Sequence, residues 1–194
     1  MLGGNGLGGA RRVLVYGVTG SGKTTLAERI SRITSLPWYS VDELTWEPGW
    51  VEVPLDEQRR RIAGICAQPE WILDTAYGRW RDIPFARAEL IVALDYPRLI
   101  SLQRLVRRTI SRCRKQSLIC NGNTESLRRA VSRESIVTWH FHSFRRKRNR
   151  IAGWMAQEGD PKVLRMTRPR QTEAWLEELA LAGPVDRRRF TRKR

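Results

Sequence analysis

Residues 17–24 read Gly-Val-Thr-Gly-Ser-Gly-Lys-Thr and meet every fixed position of the pattern G-x-x-x-x-G-K-[ST], which few folds can accommodate. Gly17, Gly20 and Gly22 have no Cβ, so the backbone can turn sharply and present successive N–H groups to an anion. Lys23 adds a positive charge beside that anion. Thr24 offers a hydroxyl to a divalent cation, and a helix starting here aims its positive dipole end at the same point. The pattern has meaning only between a strand and a helix. Val13, Leu14, Val15 and Tyr16 form a β-branched and aromatic run before it. After it, Leu26, Ile30 and Ile33 recur at helical spacing while Glu28, Arg29 and Arg32 take the other face. Gly17, Val18, Thr19, Gly20, Ser21, Gly22, Lys23, Thr24 and Thr25 are therefore expected to hold the phosphates of a nucleoside triphosphate, with ATP and Mg2+ as the cofactors.

The rest of the chain agrees with a sheet wrapped by helices. Apolar runs at 12–17, 37–41, 71–74, 90–94 and 162–166 alternate with helical stretches, among them 56–68 and 170–182. This predicts an α/β P-loop NTPase fold with a five-stranded parallel sheet over residues 11–183. About sixty-five residues separate the fourth run from the fifth, far more than a crossover needs, so an insertion is expected at about 98–150. Residues 1–10, mostly Gly and Leu, read as a disordered tail, and 184–194 as a basic one.

The net charge of +16 is unevenly spread. Residues 98–150 hold fifteen Lys or Arg against Glu125 and Glu134, a balance of +13, and residues 184–194 carry +5, leaving −2 for everything else. Such segments suit phosphates, and nucleic acid is a second conceivable partner. Only five of the 36 basic residues are Lys, however, and no helix-turn-helix, zinc-finger or RNA-binding signature accompanies them. Cys66, Cys113 and Cys120 are odd in number and irregularly spaced, which with a nucleotide ligand predicts reduced thiols in the cytoplasm. No apolar stretch reaches the length of a membrane span. Cys113, Cys120, His140 and His142 lack zinc-site spacing, neither C-x2-C nor H-x3-H being present, and His-Phe-His is read as a short strand.

In an open parallel sheet, ligands sit beyond the carboxyl ends of the strands. Asp42 and Glu43 follow the second run there, Asp74 ends the third, Asp95 follows the fourth, and Arg168 and Arg170 follow the fifth. Asp74 is the candidate to hold magnesium opposite Thr24, the alternative being a strand-ending Asp that caps the next turn.

The segments Asp42 to Trp50 (DELTWEPGW), Trp71 to Tyr77 (WILDTAY), Leu94 to Arg98 (LDYPR) and Ser132 to Trp139 (SRESIVTW) resemble the bacterial adenylate-kinase-like P-loop proteins called topology modulation proteins, over about residues 12–180. Thr75 and Ala76 stand where relatives commonly have Gly-Asn. The resemblance implies a P-loop kinase fold with an acceptor-binding region and a helical lid. It implies that Asp42 orients or deprotonates an acceptor, an N-cap role being the alternative. It also implies that Arg104 and Arg108, in a row continued by Arg112, close over the phosphates, unless they form a solvated face. Trp46 and Trp50 would then stack on a base or wall off a pocket, burial in the core being the commoner use of tryptophan; Tyr77 and Arg79 would touch the acceptor, and Arg168 would reach the nucleoside. Arg128, Arg129 and Arg133 form a second basic set, while Arg145 to Arg150 read as an exposed helix end. The expected activity is phosphoryl transfer from Mg-ATP to a small acceptor, a nucleoside monophosphate first. The competing reading is a nucleotide-dependent regulatory or nucleic-acid-associated ATPase.

Overall fold

A computed structural model of the chain describes residues 6–115, 118–119, 123–124, 136–157, 159 and 161–183. Strands β1 (Arg12–Gly17), β2 (Trp38–Tyr39), β5 (Trp71–Leu73), β6 (Leu90–Leu94) and β9 (Lys162–Met166) form one sheet in the order β2-β5-β1-β6-β9, every neighbouring pair parallel. These are the five predicted runs, with β2 shortened at both ends. Strand β1 lies at the centre, where both its faces are covered, which explains why its sequence is free of charge after Arg12.

Side chains alternate along each strand, so the continuous apolar runs feed two cores. Val13, Val15, Ile72, Leu90 and Val92 face one side with helices α1 (Lys23–Thr34) and α7 (Pro169–Ala182). Leu14, Tyr16, Trp71, Leu73 and Ile91 face the other. There they meet α2 (Val41–Thr45), α3 (Leu55–Cys66), α4 (Asp82–Arg87) and the end of α6 (Ile136–Met155). Each large aliphatic side chain buried this way stabilises the fold by about 1.5–3 kcal/mol. A small polar set completes the second core: buried Gln58 accepts the Trp80 indole N–H at 3.0 Å and donates to the Val53 carbonyl at 2.7 Å. On the opposite edge, Glu89 receives the backbone N–H groups of Arg11 and Arg12 at 2.7 and 3.0 Å and so pins the start of β1.

The expected insertion begins with α5 (Arg98–Lys115), passes a ribbon of β7 (Leu118–Ile119) and β8 (Asn123–Thr124), and ends with α6. A second ribbon, β3 (Trp46–Glu47) with β4 (Val51–Glu52), follows α2.

Two expectations need correction. His140 to His142 belong to helix α6 and not to a strand, and residues two apart in a strand would share a face in any case, so spacing alone speaks against zinc. Within the segment read as a tail, residues 6–10 are packed: Leu7 is buried in the first core, and the Trp175 indole donates to the Gly6 carbonyl at 3.1 Å. Cys113, Cys120, Arg112, Arg128, Arg129, Arg133 and the tail 184–194 fall outside the residues whose side chains are described.

Candidate phosphate site

The loop after β1 is held from outside by its own carbonyls. The Gly17 carbonyl accepts Lys147 Nζ at 3.1 Å, the Thr19 carbonyl meets His140 Nδ1 at 3.0 Å, and the Ser21 carbonyl accepts Arg104 Nη1 at 3.2 Å. The Val18 carbonyl takes the Ser21 N–H, the Ser21 hydroxyl and Lys23 Nζ at 3.2, 2.8 and 3.0 Å. In a planar trans peptide the C=O and the following N–H point in opposite directions. Fixing the carbonyls of Gly17, Thr19 and Ser21 toward these donors therefore turns the N–H groups of Val18, Gly20 and Gly22 the other way. Helix α1 starts at Lys23, and its first-turn N–H groups have no intrahelical acceptor. Together they form a cradle of donors for an anion.

Gly20 stands at a variable position of the pattern, yet this loop needs a glycine there. Its φ is +80°, and a Cβ there would stand 2.4 Å from the Ser101 carbonyl and 2.9 Å from Leu105 Cβ, both on α5. Gly22, at φ 95°, forms the left-handed N-cap of α1.

Thr24 and Asp74 meet across the end of the sheet. The Thr24 hydroxyl donates to Asp74 Oδ2 at 2.7 Å, and Asp74 Oδ1 accepts the N–H of Val41, the first residue of α2, at 3.0 Å. Asp74 is buried, and that burial raises its pKa above the usual carboxylate value against the pull of these two hydrogen bonds. Its hydrogen bonds go to the start of α2 and to Thr24, both distant in sequence, and not to the turn that follows β5. With its proton committed to Asp74, the Thr24 oxygen keeps lone pairs for a cation, so the pair suits a hard ion such as Mg2+. Among the described residues no group of three or more His, Cys, Asp or Glu could hold a metal, so water and phosphate oxygens would complete such a coordination sphere.

Burial lowers the pKa of Lys23, Asp74 and Asp42 partly offset this, and Arg108 lowers it further. The structure thus brings Lys23, Thr24, Asp42, Asp74, Arg104 and Arg108 around one loop. Arg104 also lies over the Tyr96 ring, 5.3 Å from its centroid. Asp42 is not an N-cap, that position being Ser40; its carboxylate accepts the Tyr77 hydroxyl, whose oxygen is in turn hydrogen-bonded by Trp46. Trp50, held at φ 61° after Gly49, lies edge-on to Trp46 with ring centroids 5.9 Å apart. Arg79 pairs with Glu52 of the ribbon at 3.1 Å. Arg168 is the exposed N-cap of α7, past the end of β9.

The residues that sequence reading missed are on α6. Arg145 to Arg150 were expected to be exposed, and Arg145, Arg146, Arg148 and Asn149 are; Lys147 instead reaches the loop, Arg150 donates to the Tyr16 hydroxyl at 2.8 Å, and the exposed Arg148 pairs with buried Asp95 at 2.9 Å. Asp95 also accepts Arg165 Nε of β9 at 2.8 Å. A helical signal was present: His140, Phe144, Lys147, Ile151 and Trp154 recur at spacings of four and three, and this is the stripe facing the sheet. Trp154 anchors it, edge-on to Tyr16 at 4.8 Å and stacked on Phe85 at 5.1 Å.

No family model and no curated protein sequence matches this chain. Among solved structures it is similar to an unliganded sugar kinase from Janibacter sp. HTCC2649, at 19% identity and a TM-score of 0.48, covering 89% of this chain and 98% of that one. It is also similar to a gluconokinase from Sinorhizobium meliloti 1021, at 14% identity and a TM-score of 0.49, covering 88% and 89%. Both scores are under 0.5, so the reading of the site rests on its own geometry. Among the described residues no helix is long and apolar enough to cross a membrane.

Proposed function

We propose that this chain transfers the γ-phosphoryl group of Mg-ATP to a small acceptor, with a nucleoside monophosphate as the first candidate. The observation that carries the reading is the Thr24–Asp74 hydrogen bond at the mouth of a loop whose Gly17, Thr19 and Ser21 carbonyls are fastened outward. Phosphoryl transfer asks little covalent chemistry of a protein; it needs positioned phosphates and positive charge around the moving group. Loop N–H groups and Lys23 hold the β and γ phosphates. Thr24 and Asp74 would hold the magnesium ion, which when bound would neutralise charge on the phosphate oxygens. Arg104 and Arg108 add charge from α5. An acceptor oxygen attacks the γ-phosphorus, the bond from that phosphorus to the β–γ bridging oxygen breaks, and ADP leaves. Where the attacking oxygen is a hydroxyl, its proton passes to Asp42, which Tyr77 and Trp46 hold in place. The motif resemblance to topology modulation proteins supports the kinase class and leaves the acceptor open.

The test is ADP formation from Mg-ATP with and without a panel of nucleoside monophosphates and small hydroxyl compounds, with Lys23→Ala as the blank. Acceptor-stimulated turnover that Lys23→Ala abolishes is the expected result. ATP binding without stimulation by any acceptor would refute the transferase and favour the regulatory ATPase, for which the basic insertion was the sequence argument.

A further inference from the structure

A second group of cations lies beside the loop, on the sheet face opposite α1. Lys147 and Arg150, one turn apart on α6, converge on Tyr16, the residue before Gly17: Lys147 Nζ lies 5.8 Å from its ring centroid while bonded to the Gly17 carbonyl, and Arg150 bonds its hydroxyl at 2.8 Å. Arg81, half-buried in the turn before α4, lies near enough to Arg150 and Tyr16 to feel both electrostatically. Among the described residues, Lys147 and Arg150 bond only neutral oxygens, and no carboxylate pairs with any of the three. The nearest acids are committed elsewhere: Asp82 pairs with Arg59 at 2.8 Å, Asp95 pairs with Arg148 and Arg165, and Asp42 accepts Tyr77.

Gathering cations in a half-buried place is unfavourable unless an anion visits. The Lys147 pKa lies well below the ordinary lysine value, first through burial and then through Lys23, Arg146 and Arg150, with Asp42 pulling the other way. Arg81 is shifted down by burial and by Arg150, against the pull of Tyr16 and Asp82. A phosphate dianion seated among them would reverse both effects, and arginine in particular suits its planar pairs of oxygens.

The location says whose phosphate it would be. The loop leads into α1 on one face of the sheet, whereas Tyr16 belongs to the other face, with Tyr77 and the α2 residues Val41 and Leu44. That is the side of Asp42, where the acceptor was placed. We propose that Arg81, Lys147 and Arg150 form a second anion site that holds a phosphate already present on the acceptor, which makes the acceptor a phosphomonoester. This rests on the phosphotransferase reading for the word acceptor, but the anion site can be tested without it.

Inorganic phosphate is titrated calorimetrically into the full-length protein, alone and with its loop saturated by Mg-ADP; AMP and adenosine are then compared under the second condition. Phosphate should bind in the presence of Mg-ADP, and AMP should bind where adenosine does not. Arg81→Gln and Arg150→Gln should each weaken phosphate and AMP by about tenfold or more, the loss of one charge-assisted pair, with Mg-ADP affinity changed less than about twofold. Arg150→Lys should lose less than Arg150→Gln, and Arg145→Gln, an equal charge change at an exposed position of the same helix, should lose nothing. Phosphate that binds only when Mg-ADP is absent, or that ignores both Gln variants in folded protein, overturns the site. A wild type that binds no Mg-ADP refutes the phosphotransferase reading alone, since the phosphate titration without nucleotide still reports on Arg81 and Arg150. Acceptor-dependent turnover with adenosine equal to AMP refutes the phosphomonoester and leaves the kinase standing.

Discussion

Substituting Asp74 separates the structural use of its carboxylate from its chemical use. Two hydrogen bonds converge on it, from the Thr24 hydroxyl at 2.7 Å and from the Val41 N–H at 3.0 Å. In Asp74→Ala the buried Val41 N–H loses its acceptor and the side-chain volume is vacated. An unsatisfied buried donor costs about 1–3 kcal/mol, and the cavity adds to it, so a loss of about 2–4 kcal/mol is expected. For a chain of this size that lowers Tm by roughly 4–16 °C. In Asp74→Asn the amide oxygen still accepts Val41 and the amide nitrogen donates to Thr24, while the cost of burying a charge, which raises the pKa of Asp74, disappears. Two charge-assisted bonds become neutral ones as that cost is relieved, so stability should stay within about 1 kcal/mol of wild type. Activity should not follow stability. Both variants should lose Mg-dependent turnover by about 100-fold or more, as removal of one charge-stabilising group does elsewhere. Thermal unfolding and ADP release at saturating ATP, across a magnesium titration, measure the two quantities. An Asn variant that turns over within about threefold of wild type at the same magnesium concentration would refute Asp74 as a metal holder, leaving it a helix cap.

Gly20→Ala places a Cβ at φ +80° against the Ser101 carbonyl, and the strained backbone plus the overlap should cost roughly 2–4 kcal/mol, read as a lower denaturant midpoint; a loss under about 0.5 kcal/mol would show that the loop and α5 are not packed as described. His140, with Nδ1 facing the Thr19 carbonyl, has a pKa lowered first by burial and stays neutral near pH 7. Because its folded pKa lies under the unfolded value of about 6.5, its contribution to stability is complete above pH 6.5 and is lost as pH falls through the folded pKa, with a slope of at most about 1.4 kcal/mol per pH unit. His140→Gln should remove that slope from a pH series of unfolding curves, and an unchanged slope would assign it to another group. Cys66 is buried with its thiol pushed up to about 12, so in a Cys113→Ser, Cys120→Ser background it should resist alkylation at pH 8 until denaturant is added. Reaction of the native protein at the rate of a free thiol would contradict that burial.

Much of this was legible in the sequence because the signals were local. The loop motif needs only its own glycines and flanking periodicities, and the strands of a buried parallel sheet announce themselves as unbroken apolar runs such as Leu90–Leu94. What escaped was tertiary. Leu7 sits in a glycine-rich stretch with no periodicity, and only the surface offered by Trp175, Leu176 and Leu179 gives it a place to be buried. His-Phe-His fits period two over three residues, too short a window to outvote the longer stripe from His140 to Trp154. The Trp46–Tyr77–Asp42 chain joins two segments, Asp42 and Trp46 in one and Tyr77 in another, and no spacing rule connects them.

The charge of α6 shows how a correct composition argument can lead to the wrong residues. Counting placed +13 on residues 98–150 and identified an arginine row on α5, yet a count cannot say which way a cation faces. On α6 the direction is set by its apolar members: once Phe144, Ile151 and Trp154 are buried against the sheet and its neighbouring helices, the helical repeat carries Lys147 to the loop and Arg150 to Tyr16. Arg145 and Arg146, a fraction of a turn away, are left exposed. The same packing makes the phosphate site depend on α6 staying seated. Trimming Trp154 to Ala removes the ring that meets both Tyr16 and Phe85, so it should weaken Mg-ATP and phosphate binding together while leaving every proposed ligand-binding side chain in the sequence. Equal loss of both affinities, measured in protein that circular dichroism shows to be folded, is the expected result. Unchanged affinities would mean that α6 is held against the loop by its polar contacts alone.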